Sequence, residues 1–403
     1  MSEILFNPFD PAFRANPYPF YDTLRAQDPV HQTAGGMVVL TRYEDVSATL
    51  KSNDYSRDID KYSPQASSAA RQRRRERDAN RTKSILNLDP PDHTRLRRLV
   101  SKSFTPSAIE RLRLRIALLT DAVLDRAQQQ GTLELVDDLA FPVPFQVISE
   151  LLNMPTERVD ELREWSQLIT ASLEPTASDD ELASSDAAID LLVPYLTEII
   201  EHRRKHLADD MLSSLILVEE SGERMTTAEL MAFVVLLYIA GHETTVNLVG
   251  NGTLALLRNP LQLAAARANG FTPNIVDELL RYDGPVQHTV RVPLVPVHFD
   301  VDGERRTIEP GTMVLTSLGA ANHDGTMFSS PHQLQLDRAN SNRHMAFSGG
   351  IHYCLGASLA KLETEVMIGS LISRFKSLEI VGEPQWRDRL TIRGVSKLSL
   401  SCS

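Results

Sequence analysis

The chain holds only two cysteines in 403 residues, and one of them stands where chemistry is expected. Cys354 lies in the run Phe347-Ser348-Gly349-Gly350-Ile351-His352-Tyr353-Cys354-Leu355-Gly356, just ahead of a helical stretch from Ala357 to Phe375. The glycines let the backbone turn tightly and approach another group closely. A helix N-terminus and its backbone N–H groups favour the thiolate form of a cysteine placed there. A thiolate is a nucleophile and a metal ligand, and it is the axial ligand that donates electron density to haem iron. Taken alone, the same residue also suits a small buried hydrophobe.

A second reactive group lies inside an apolar run, Ala240-Gly241-His242-Glu243-Thr244-Thr245. Unpaired polar groups are costly to bury, so the Glu-Thr step needs a reason. Thr244 can bond back to the carbonyl of Ala240, loosening and bending the helix, while Gly241 leaves room beside the bend. The opened turn makes a polar notch for O2, with Glu243 and Thr244 placed to relay protons. The alternative is a kinked core helix with His242 and Glu243 facing solvent. His242-Glu243 does not begin a zincin motif, because Val246 stands where the second His belongs. His242 is expected at the surface. His93 and Arg97 are four apart and share a helix face. Glu278 and Arg281 have the spacing of a same-face ion pair. Arg291 interrupts a β-branched run and needs a buried anion.

The elements that must position these residues are legible in outline. Thr226 and Glu229 form a capping-box spacing before the longest helix candidate, about 226–258; some 30 residues of helix would span about 45 Å. Pro17–Gln27 reads as a short helix and Met37–Leu40 as a buried strand. Asp92 to Ala208 is mostly helical, with breaks at Pro106, Gly131, Pro142, Pro144, Pro155 and Pro175. Another helix follows Pro273 and stops at Asp283-Gly284-Pro285. Residues 286–316 read as strands, with a hairpin turn at Asp302-Gly303. The polar stretch from Asp54 to Ser84 contains an Arg-rich segment, 71–81, which reads as a solvated, mobile surface segment, or else as a mobile lid or an anionic contact. No repeat or linker divides the chain. The fold class is mainly α with a minor β-sheet, in a single large domain, 1–403.

Composition narrows the function. A net charge of −11 argues against a nucleic-acid partner. Two cysteines without a CxxC pair leave no disulfide framework and fit a reducing compartment. The N-terminus has no signal-peptide pattern. The longest apolar stretch, Leu230–Gly241, is shorter than the roughly 20 residues of a membrane span. A cytoplasmic protein without a membrane anchor is expected.

The cysteine run resembles the cysteine loop of the cytochrome P-450 superfamily, in which Phe, Gly, a basic residue, Cys and Gly recur at the offsets of Phe347, Gly350, His352, Cys354 and Gly356. Ser348 departs from it, since many members have Gly there. Ala240 to Thr244 is similar to the acid-alcohol pair of that family, and Glu278-x-x-Arg281 to its Glu-x-x-Arg. The resemblance extends from Pro17-Tyr18-Pro19-Phe20 to Thr391-Ile392-Arg393-Gly394, and the length is that of the soluble bacterial members. It implies the cytochrome P-450 fold and a haem b held non-covalently, with Cys354 as the thiolate ligand of the iron. It makes Glu243 and Thr244 the catalytic proton-handling pair. His93, Arg97, Arg291 and His352 would hold the propionates, with Ala240, Phe347, Gly350 and Gly356 also at the cofactor. Arg338 would join Glu278 and Arg281 in holding the cysteine loop.

The implied reaction is a monooxygenation: one oxygen atom of O2 enters a lipophilic small molecule (a steroid, macrolide or other polyketide, terpene or fatty acid) by hydroxylation or epoxidation. No flavin or nicotinamide fingerprint is present, so electrons are expected from a ferredoxin and its ferredoxin reductase. Arg95, Arg98, Lys102 and Arg343 are candidates for the docking face. Ile85, Leu86, Leu88, Leu236, Ile239, Val286, Gln287, Thr289 and Val290 are the expected pocket lining, and a monomer is expected. Two competing functions use the same haem. A peroxide-driven peroxygenase commonly carries Arg-Pro in place of the pair found as Glu243-Thr244. A non-catalytic haem protein would not need the thiolate.

Overall fold

The capping box at Thr226 forms in both directions, with Glu229 bonded back to the cap, and it starts a 32-residue helix, Thr227–Arg258. This helix comes from a computed structural model, which describes residues 6–62, 82–154, 158–174, 177–220 and 223–403. The Arg-rich segment 71–81 lies outside the described residues. Among those described, this is the one helix long and apolar enough to cross a membrane, yet 61% of its most apolar window is buried inside the fold. It is longer than the Leu230–Gly241 run because Val246, Leu248, Val249, Leu254 and Leu256 continue its buried surface. Pro142–Leu151, Val159–Ala171, Pro273–Asp283 and Ala357–Arg374 pack around it. One apolar cluster running from Ile85 to Cys402 joins these helices.

Beside the helices lies a five-stranded sheet in the order Val30–Gln32, Val38–Leu40, Val314–Ser317, His288–Pro293, Tyr55–Ser56. Only the contact between Val38–Leu40 and Val314–Ser317 is parallel. The hairpin Val297–Val301/Glu304–Ile308 forms as expected. Its turn residues, Asp302 and Gly303, both take positive φ, 54° and 82°, the requirement of the turn type that Asp-Gly serves. The reading of Asp92 to Ala208 as helices misses a strand, Thr132–Glu134, and a π-helical turn, Leu135–Ala140. That strand exists because the C-terminal strand Ser399–Cys402 pairs with it, a partner more than 260 residues away in sequence.

The C-terminal segment is locked onto the central helix. A Cβ on Gly394 would lie 1.9 Å from Asn247 Oδ1, so only glycine permits this approach. Asn251 donates to the carbonyls of Asp283 and Arg393, each at 3.2 Å. On the far side the buried carboxylate of Glu174 accepts the backbone N–H groups of Leu390 and Thr391. These bonds place residues 387–393 beside Glu243.

Candidate functional site

The loop carrying Cys354 is shaped by one glycine above all. Gly350 has φ 66°, and a Cβ there would meet the Leu50 carbonyl oxygen at 2.3 Å. Gly349 is extended and Gly356 is uncrowded with φ −87°, so neither needs the freedom the sequence suggested. Ser348 adopts φ 61°, the left-handed region that glycine takes at least cost. The Cys354 N–H donates to the Phe347 carbonyl at 3.0 Å and closes the loop. Phe347 itself is buried against Leu248, Val276, Leu280 and Ala357.

Cys354 is solvent-accessible but recessed. Surrounding protein pushes its thiol pKa up, while a bond from the Gly356 N–H and the charge of Arg97 pull it down. The net direction is upward. The helix terminus therefore does not by itself produce the thiolate expected from sequence; a coordinated metal ion would, because it deprotonates the thiol outright. Arg97 also reaches the loop directly, donating from Nη2 to the Tyr353 carbonyl at 2.7 Å.

Around this recess the structure gathers an excess of basic groups. The rings of His93 and His352 lie 4.2 Å apart. His93 is 2% exposed, and neither of its ring nitrogens has a partner. Arg291 is buried, donates from Nη1 to the Val290 carbonyl at 2.9 Å, and leaves Nη2 unpartnered. Burial, then His93, Arg291 and Arg57, depress the His352 pKa to about 3. Burial and Arg57 lower the Arg291 pKa to about 9. Like charges so placed call for an anion. A haem supplies two carboxylates, and the orphaned donors of His93 and Arg291 fit them. Arg57, which no sequence motif singled out, belongs to the same cluster.

On the central helix, Leu236, Ala240 and Thr244 succeed one another at four-residue spacing, on one face. Ala240 is exposed, and Leu236 and Thr244 are partly so, while Ile239, His242 and Glu243 are buried. Thr244 Oγ1 donates to the Ala240 carbonyl at 3.1 Å, as expected. The helix assignment runs from Thr227 to Arg258 without interruption through this bond. Glu243 points away from solvent and is 4% exposed. Its Oε1 lies 3.2 Å from Arg387 Nη1, and its Oε2 has no partner. Together with Gln167, Thr170, Arg387, Arg389 and Ile392 it lines a cavity of about 100 Å3.

His242 is wholly buried and not at the surface. Its Nδ1 donates to the Tyr238 carbonyl at 2.8 Å, leaving Nε2 to accept from Ser166 Oγ at 3.1 Å. Phe141 and Phe145 face its ring edge-on. No local pattern around His242 signals that a second helical layer covers this face.

The Glu278, Arg281 and Arg338 trio forms as the resemblance implied. Arg281 binds both Glu278 oxygens, at 2.7 and 2.8 Å, and Arg338 Nε lies at 3.0 and 3.1 Å from the same pair. The remaining guanidinium donors hold carbonyls at Asn322, Ser329, Ser330, Pro331 and Gln333. The trio thus ties down the segment ahead of the cysteine loop. The two flanks of the loop are tied to the helix Pro273–Asp283 by Asp277, which sequence reasoning missed and which meets His344 at 3.3 Å and Lys361 at 2.7 Å. Glu363 was also missed. It is fully buried on the helix Ala357–Arg374, and burial raises its pKa to about 8, with the Thr245 hydroxyl near enough to oppose slightly but making no well-formed bond. Glu363 is therefore mostly a neutral acid at pH 7.

Of the expected pocket residues, Ile85, Leu88, Leu236 and Ile239 belong to the main apolar cluster, and Leu86 and Val286 are partly exposed. Val286 also bridges to Ile392. Two assignments need correction. Gln287 is 2% exposed and donates to the Gly284 carbonyl at 2.8 Å, next to Tyr18 and Tyr21. Val290 packs on the N-terminal aromatic cluster with Phe6 and Phe13. Strand alternation explains Val290: it shares one face with His288, while Thr289 and Arg291 share the other and touch at 3.3 Å.

A cytochrome P-450 family model matches residues 25–269 and 270–396. The chain is 39% identical over 402 residues to cytochrome P-450 107B1 of Saccharopolyspora erythraea, covering 97% of this chain and 96% of that one. It is 37% identical over 404 residues to the vitamin D(3) 25-hydroxylase of Pseudonocardia autotrophica, covering 98% and 95%. The solved structure of the Bacillus subtilis bacillaene polyketide synthase cytochrome P-450 PksS aligns over 99% of this chain and 100% of that one, with 33% identity and a TM-score of 0.87.

Proposed function

The chain belongs to the cytochrome P-450 family of haem-thiolate monooxygenases, and we propose that Cys354 binds the haem iron while Glu243 and Thr244 handle the protons of the reaction. The observation that carries this reading is the accessible sulfur of Cys354 below a cluster of orphaned basic donors. When bound, the haem supplies oxygen activation and transfer. His93 and Arg97 from one helix, His352 from the cysteine loop and Arg291 from the strand would hold its carboxylates. Phe347 and Gly350 shape the cysteine loop, the Gly356 N–H bonds to Cys354, and Ala240 offers a small exposed surface on the central helix. Thr244 holds a hydroxyl proton at the exposed stripe of the helix. Glu243 connects that stripe to the polar cavity behind it, where Arg387 holds one of its oxygens.

The substrate is a lipophilic small molecule bounded by Leu86, Leu88, Leu236, Ile239, Val286 and Thr289. The vitamin D(3) hydroxylase and polyketide synthase relatives support that class. The electrons come from a ferredoxin and its reductase, which dock at Arg98, Lys102 and Arg343, all exposed. Arg95 drops out of that surface, because it pairs with Glu229 at the start of the central helix. The protein is one domain, cytoplasmic and monomeric; burial of the central helix within the fold argues against that helix crossing a membrane.

The test is reconstitution with a ferredoxin, a ferredoxin reductase and NADPH under labelled O2, using vitamin D3, a macrolide and palmitate as probes. One labelled oxygen atom in product from at least one probe is expected. Product formed with hydrogen peroxide but never with the electron-transfer proteins would instead make it a peroxygenase. Arg98→Glu is expected to slow reduction and flatten its salt dependence; an unchanged rate removes Arg98 from the docking face. Thr244→Ala is expected to lower product formation about 100-fold while oxygen consumption continues. Undiminished product would remove Thr244 from proton handling.

A further inference from the structure

We propose that Arg57 is a carboxylate-binding residue, closing together with Arg291 on one carboxylate in the basic cluster. The inference rests on the haem assignment and adds a residue to it. Tyr55–Ser56 pairs antiparallel with His288–Pro293, Ser56 opposite Val292, and this register brings Arg57 alongside Arg291. Arg57 Nη1 donates to the Val290 carbonyl at 3.1 Å, the same oxygen that accepts Arg291 Nη1 at 2.9 Å. Two guanidinium groups thus converge on one neutral carbonyl.

No acidic side chain among the described residues forms an ion pair with either of them. Arg57 has no ion pair with a carboxylate there, and Nη2 of the 3%-exposed Arg291 is unpartnered. The acid whose charge reaches Arg291 and His352 is Asp89. It accepts the backbone N–H of Arg57 at 2.9 Å, the Ser56 hydroxyl, and Lys61 Nζ at 2.6 Å. Its charge holds the start of this segment and Lys61, and its contact with Arg57 is to the backbone. The other titratable groups facing the cluster, His93, Arg97 and His352, are all basic. Burial lowers the Arg57 pKa to about 10, so the residue keeps its proton at neutral pH. A buried guanidinium that stays charged needs an anion, and two of them flanking one carboxylate satisfy both its oxygens with short, charge-assisted bonds. His93, Arg97, Arg291 and His352 already answer to the resemblance; Arg57 answers only to this geometry.

A carboxylate can reach this point from the haem, as a propionate, or from an acidic substrate. The holoenzyme is therefore compared with Arg57→Met, Arg57→Gln and Arg57→Lys, each at full haem content. Haem transfer to excess apomyoglobin reads the first source. Titration with palmitate and with methyl palmitate, followed by the spin-state shift, reads the second. Haem transfer about tenfold faster in Arg57→Met, with Arg57→Lys intermediate, is expected. Unchanged transfer together with a lost preference for palmitate over its ester would assign the carboxylate to the substrate, and also supports the proposal. No change in either measurement overturns it. If Arg57→Met does not fold, Arg57→Gln decides by the same two readings. A wild-type carbon monoxide complex without thiolate character overturns the haem reading and this proposal together, whereas a thiolate spectrum with silent Arg57 variants overturns this one alone.

Discussion

Cys354→Ala is expected to abolish monooxygenase activity and remove the strongly red-shifted Soret band from the reduced carbon monoxide complex, while the protein stays folded. The accessible side chain explains why stability survives: the sulfur is not packed in the core, and the loop is closed by the Cys354 backbone N–H, which alanine keeps. The electron push of a thiolate has no substitute in the recess, because His93 and His352 stand with the basic cluster that suits carboxylates. Cys402→Ala is the internal control. That residue is 5% exposed in the strand Ser399–Cys402, so its loss should cost about 1 kcal/mol of packing and leave the spectrum intact. With only two cysteines in the chain, the pair of variants assigns the ligand outright. A wild-type band typical of histidine ligation, or a Cys354→Ala protein with an unchanged band, would sink the assignment.

Much of this site is legible in residue types and their spacing, and the reason differs from residue to residue. The central helix is legible because its cap is local: Thr226 and Glu229 satisfy one another within a single turn. The Asp302-Gly303 hairpin is legible because positive φ demands those residue types. Cys354 and its glycines stand out because composition there is unusual and the spacing is fixed. What stays hidden depends on contacts distant in sequence. His242 is buried by Phe141, Phe145 and Ser166, and nothing in its own helix says which face those residues cover. Gln287 and Val290 lie next to the candidate site residues Thr289 and Arg291, but alternation along the strand turns Val290 to the opposite face. Asp277 sits beside Glu278, and only the fold shows that it, and not its neighbour, reaches His344 and Lys361. Glu363 carries a faint signal, a carboxyl four residues after Leu359 on an apolar helix face, but no motif. Arg57 carries none.

The second large effect is expected at Glu278, although it lies outside the recess. Glu278 and Arg281 are 0% exposed and Arg338 is 6% exposed. Both guanidiniums bind the same carboxylate, which also accepts the Gln335 N–H at 2.9 Å. Glu278→Ala leaves two permanently charged groups buried and facing each other, a change that costs about 3–5 kcal/mol when a buried pair loses one partner. The backbone carbonyls around Arg281 and Arg338 remain, but they carry no net charge to offset the repulsion. The loss should show as a lower urea midpoint of the haem-loaded protein and as faster haem release, since the trio fixes residues 322–338 ahead of the cysteine loop. Asp277→Asn supplies the contrast. It keeps the shape of a residue that holds both flanks of the loop, His344 before it and Lys361 after it, and removes charge-assisted bonds worth about 1.5–3 kcal/mol, so its urea midpoint should fall less than that of Glu278→Ala even though its contacts lie nearer the loop. An equal or smaller loss for Glu278→Ala would mean that the segment 322–338 is held by its own packing, and that the buried trio follows from the fold and does not hold it in place.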